Sequence, residues 1–159
     1  MLRAHGIEAA LPAGFGGRIF VRSPVGQEET WPVAHFATVP IPAGAGDFGG
    51  GVVTALGPTD VFAVLFEYGP ESVGKALFAR QGMPTGLGPQ HFQPTVLRRG
   101  LAQQSGTQWF FTEAGRPFTF YAVLGSHARR GALVPRVNNL LSALVVHPPT
   151  GVAAGGPWN

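Results

Sequence analysis

The chain has 159 residues, 45% of them hydrophobic, which suits one domain with a continuous core. Cysteine is absent, so disulfides, thiolate metal sites and cysteine nucleophiles are ruled out. Charged residues make up only 12%, the net charge is +3, and the pairs Arg98-Arg99 and Arg129-Arg130 stand isolated, so no nucleic-acid surface is expected.

No apolar segment reaches the ~20 residues that span a bilayer. The opening "MLRAHGIEAALPAG" holds no apolar leader core. A soluble cytoplasmic protein is therefore expected. The 24 Gly and 15 Pro punctuate apolar runs rather than forming a tract of their own. They predict one domain over 1–146 and a flexible tail over 147–159.

Two short extended runs, Ile7–Leu11 and Arg18–Arg22, flank a turn at "PAGFGG". "PVAHFATVPIP" reads as a strand, with Val33, His35, Ala37 and Val39 on one side and Ala34, Phe36 and Thr38 on the other. Next comes "PAGAGDFGGG", which contains G-x-G-x-x-G at Gly44, Gly46 and Gly49. A phosphate-binding turn of that spacing needs a strand before it and a helix after it. Here the loop runs into the β-rich "GVVTAL", so it is expected to turn a corner between strands and hold no phosphate. "GPTD" is a second turn, and "VFAVLFEYG" reads as a central strand buried on both faces.

Pro70 opens a short predicted helix carrying Val73, Ala76 and Leu77. Residues 82–100 read as an irregular loop pinned by Leu87, Phe92 and Leu97, and a loop of that length hints at function. "GTQWFFTEAGRPFTFYAVLGS" predicts a hairpin, with strands Thr107–Thr112 and Phe118–Leu124 around "EAGR". Glu113 and Arg116, flanking that turn, are expected to form a surface pair. Val134, Val137, Leu140, Leu141, Leu144 and Val145 recur at helical spacing, with Pro135 in the first turn.

Catalytic constellations are missing. No two histidines have metal-ligand spacing, and no serine lies in G-x-S-x-G. Ser126, beside His127, reads as a turn residue before the helix. No cofactor and no metal are implied. Glu67 ends an apolar strand, where it is either hydrated or buried against a partner such as an arginine.

The stretches "IEAALPAGFGGRIFVR" and "FTFYAVLGS…VPRVNNLLSALVV" resemble the first strands and the closing strand and helix of the PsbP-like superfamily, which includes DcrB-like proteins. The chain also resembles families common in GC-rich actinobacteria. The superfamily resemblance implies an α+β fold: an antiparallel sheet of six to seven strands with the C-terminal amphipathic helix packed on one face. It carries over no catalytic residue, because those relatives mostly bind other proteins.

The expected function is a non-enzymatic protein-binding adaptor or chaperone-like accessory protein that uses an apolar sheet face. Trp109, Phe111, Phe118, Phe120 and Tyr121 would contact another protein, or a second copy in a homodimer. One alternative is a small-molecule-binding protein or enzyme with the 82–100 loop as lid, where Glu67, His91, Phe92 and Arg98 converge. Another is a structural subunit of a larger assembly.

Overall fold

The computed structural model describes residues 1–24, 26–27, 29–97, 101 and 103–149. The fold is mixed α/β, and the described residues form two antiparallel sheets and one α-helix. The larger sheet has the order β3(Gly16–Val21), β4(Pro32–Ala37), β5(Val61–Glu67), β7(Arg116–Leu124), β6(Ser105–Glu113). The smaller one has the order β1(Leu2–Ala4), β2(Ile7–Ala9), β8(Leu144–Val146). The helix α1(Arg130–Ser142) lies between β7 and β8 in the chain.

The strands thus divide five and three rather than forming one sheet of six or seven. Pro12 is the cause. It cannot extend a ladder, and its carbonyl accepts from the Phe15 N–H in a turn that separates β2 from β3. The β1–β2 hairpin therefore pairs with β8, in the register Ile7↔Val146. Its two-residue turn, His5-Gly6, has φ of 53° and 74°, and the Ala114-Gly115 turn of the β6–β7 hairpin has 54° and 75°. Positive φ at both central residues matches the right-handed twist of the flanking strands.

Alternation in β4, β5 and β7 builds two cores, one on each face of the five-stranded sheet. Ala34, Phe36, Leu65, Phe118 and Phe120 meet Val134, Val137 and Leu141 of α1, together with Ile7 and Val146 of the small sheet. On the opposite face, Val33, Phe62, Val64, Tyr121 and Val123 meet Val52, Val53 and Leu56. Burying each such aliphatic side chain is worth about 1.5–3 kcal/mol.

The second cover is the glycine-rich loop itself. "GVVTAL" is no strand: Gly49 and Gly51 sit at φ of 84° and 92°, and Val53–Ala55 form a 3₁₀ turn. A Cβ on Gly49 would run into the Phe62 ring, so only glycine lets the loop lie this close. The corner is a lid on the second core.

Other expectations also shift. The helix expected after Pro70 is two 3₁₀ turns, Pro70–Ser72 and Ala76–Phe78, separated by Gly74 at φ 90°. The C-terminal helix starts at Arg130, before Pro135, with the Ser126 hydroxyl accepting from the Arg129 N–H at 3.2 Å. Pro135 is tolerated inside because it and Gly131, four residues back, face solvent. Leu144 and Val145 leave the helix for β8, and Val145 points outward. Pro117 fits near the start of β7 because it contributes only its carbonyl there, to the Tyr68 N–H at 2.9 Å.

The start of the expected tail is tied down. The His147 N–H donates to the Gly6 carbonyl at 2.8 Å, and its imidazole Nε2 lies 2.6 Å from Glu8. That contact holds the Glu8 carboxyl below its ordinary pKa. Residues 150–159 lie outside the described residues.

Candidate functional site

The expected apolar sheet face is closed. Phe111, Phe118 and Phe120 are fully buried beneath α1 and the small sheet, and Tyr121 is buried beneath the glycine-rich loop. These four are core residues, unavailable to a partner. Trp109 alone of the expected contact residues is partly exposed.

The expected ligand cluster does not assemble either. Glu67 and Arg116 are both buried and pair in bidentate fashion, at 2.6 and 3.0 Å. Arg116 also donates to the carbonyls of His5 (3.0 Å), Gly6 (3.3 Å) and His147 (3.0 Å). Every N–H direction of the guanidinium is used, so this group clamps the small sheet to the large one. The expected surface pair is overturned, since Glu113 instead accepts from the Met83 N–H at 2.8 Å. Phe92 is a core residue, His91 lines a cleft separate from Glu67, and Arg98 lies outside the described residues. The 82–92 stretch is no free lid, because Asn138 of α1 grips both the N–H and the carbonyl of Leu87 at 2.9 Å.

Two histidines deserve chemical scrutiny. His127 Nδ1 lies 2.8 Å from Ser105 Oγ, but Ser105 is fully buried and, among the described residues, no carboxylate contacts His127. That pair lacks both access and the group that would orient a base. His35 is fully buried between the rings of Phe20 and Phe62, and its Nε2–H donates to the Asp47 carbonyl at 2.9 Å. Burial lowers its pKa. Among the described residues no group of three or more His, Cys, Asp or Glu could hold a metal.

Among the described residues four strands lie at sheet edges, β1, β8, β3 and β6, and the outer edge of β6 is the one that borders a cleft holding His91 and Trp109. The register of β6 against β7 turns the backbone groups of Gly106, Gln108, Phe110 and Thr112 away from the sheet. Two of these positions are capped. Gln93 exchanges both hydrogen bonds with Gly106, at 2.8 and 3.0 Å. Thr112 donates to the Arg80 carbonyl and accepts from the Gly82 N–H, both at 2.8 Å. Between the caps, the N–H and C=O groups of Gln108 and Phe110 meet no backbone partner among the described residues.

A cleft of about 520 Å³ follows this gap, lined by His91, Thr95, Val96, Thr107, Gln108 and Trp109. Consecutive strand residues point to opposite faces, so a cleft touching 107, 108 and 109 wraps the strand's edge. Its walls are cross-linked by hydrogen bonds and ring contacts. The Gly88 N–H donates to His91 Nδ1 at 2.9 Å, which leaves the ring proton on Nε2. The His91 ring meets Trp109 edge-on, with centroids 5.4 Å apart. The Trp109 N–H donates to Thr107 Oγ1 at 2.9 Å, and the Arg80 guanidinium lies 4.9 Å from the indole centroid. On the other face Phe110 packs against Phe78 and Tyr68, and the buried Gln108 Nε2 has no partner among the described residues.

Gln108, Phe110 and Arg80 escaped sequence reasoning. The "TQWFF" strand was visible, but which of its edges stays open depends on the distant Gln93 and Arg80. Comparison with family models, curated proteins and solved structures finds no match. No helix of the described residues is long and apolar enough to cross a membrane.

Proposed function

We propose that this chain is a non-enzymatic, protein-binding accessory protein that holds its partner by strand addition on the free edge of β6. The observation that carries this reading is the pair of open backbone positions, Gln108 and Phe110, between two capped ones. An extended segment laid there gains main-chain hydrogen bonds, and the cleft gives its side chains places to sit. The adaptor role accords with the PsbP-like resemblance, which we retain as a proposal, with the contact moved from a sheet face to a sheet edge.

Gln108→Pro tests it. Proline removes an outward N–H that β7 does not use, which an edge strand tolerates. Tagged wild type should recover a stoichiometric partner from its host, and the variant should lose that partner while keeping its melting temperature. Equal recovery by a folded variant would overturn the proposal.

A further inference from the structure

The shape and charge of the cleft specify more than a generic strand. We infer that the occupant is a short extended segment of another protein carrying an acidic side chain opposite Trp109, with an apolar side chain on each side of it. This rests on the strand-addition reading above.

Length comes first. Along β6, among the described residues, only the positions between Gly106 and Thr112 are free, and both ends are already filled by Gln93 and Arg80–Gly82. The two outward positions left open, Gln108 and Phe110, with Trp109 between them, face about three residues of guest backbone. A second copy pairing β6 against β6 would bring its own Gln93 and Arg80 caps into the same gap. A three-residue stretch of a loop enters without displacing them.

Side-chain chemistry follows from alternation. Residues directly opposite in a ladder share a face. A guest residue opposite Trp109 therefore projects to the Trp109 face, beside the Arg80 guanidinium and the His91 ring. Arg80 is exposed and, among the described residues, pairs with no carboxylate. Lys75 is exposed on the same connecting segment. Glu113, at the end of β6, accepts from the Met83 N–H through one carboxylate oxygen. A guest carboxylate would meet a cation held in place by an aromatic face, and charge-assisted bonds of that kind are the strong ones. The guest's two neighbours project to the opposite face, where Val96 and Phe110 lie. Apolar side chains suit Val96 and Phe110, and the Gln108 amide on the same wall calls for an acceptor from the guest.

The probes are four peptides based on acetyl-Gly-Val-Xaa-Val-Gly. Three end in an amide and carry Glu, Gln or Lys at the centre; the fourth carries Gln and a free terminal carboxylate. Each is titrated into the ¹⁵N-labelled chain while the Gln108 and Phe110 amide resonances are followed. The Glu peptide should shift both at about tenfold lower concentration than the Gln or Lys peptide, the ratio expected for one charge-assisted bond. Arg80→Gln should erase that preference. Equal titration by Glu, Gln and Lys peptides would overturn the acidic specificity and leave strand addition standing. A Gln peptide with a free terminus that matched the Glu peptide would overturn it too, by assigning the carboxylate to a chain end. No shift at Gln108 and Phe110 with any peptide would overturn both readings.

Discussion

Replacing Arg116 by alanine removes five hydrogen bonds at once and leaves the Glu67 carboxylate buried without its partner. Breaking one side of a buried ion pair costs about 3–5 kcal/mol. Unfolding entropy of ~2.1 cal/mol/K per residue amounts to ~0.33 kcal/mol/K for this chain, so ~4 kcal/mol lowers Tm by ~12 °C. The double variant Arg116→Met/Glu67→Leu removes both charges, and no carboxylate is stranded. It should lose only about half as much, because the carbonyls of His5, Gly6 and His147 still lack a donor. Thermal melts followed by circular dichroism decide the matter. An Arg116→Ala melt within ~3 °C of wild type would show that the clamp contributes no more than an exposed pair. A double variant as unstable as the single one would assign the loss to the three carbonyl bonds instead of the stranded carboxylate.

Two further outcomes concern a buried and a half-buried polar side chain. His35 is held neutral in the fold, with a pKa below its unfolded value of ~6.5. Its contribution to stability is therefore complete above pH ~6.5, falls as the pH drops through that value and levels off below the folded pKa. Denaturant midpoints across pH 5 to 8 should show this loss, and His35→Gln, which keeps an amide donor for the Asp47 carbonyl, should flatten that part of the profile. Asn138→Ala strips both bonds from the Leu87 backbone and should cost about 1–3 kcal/mol. Hydrogen exchange should quicken between residues 84 and 92 before it quickens anywhere in β5.

Local patterns were legible where one chemical preference acted alone. The β5 run is apolar on both faces and lies between β4 and β7, as a central strand should. The β6–β7 hairpin could be read from its β-branched and aromatic content, although its turn is two residues rather than four. The helix face through Val134, Val137, Leu140 and Leu141 follows the 3.6-residue period. Three features were hidden because each depends on residues far apart in the chain. The glycine-rich loop looked like a corner because its contact with Phe62 appears only once β5 is in place. Glu67 found its arginine 49 residues away, at the far side of a hairpin. The site escaped because an edge strand and a central strand share one composition. What distinguishes β6 is the backbone of Gln93 and Arg80, and backbone capping leaves no mark on side-chain pattern.

The small sheet bears on how the chain reaches its folded state. Glu8 and His147 meet across 139 residues of sequence, and β2 can find β8 only after the residues through Val146 are available. Pairing of such high contact order slows folding relative to a helical domain of similar size. On the ribosome, where elongation runs at about 5–20 residues per second, β1 and β2 wait for several seconds with Ile7 and Ala9 uncovered. The β6–β7 hairpin, whose partners are adjacent, has no such wait. The first core cannot be complete before the strand that follows α1 is in place, and the Arg116 bond to the His147 carbonyl can form only then.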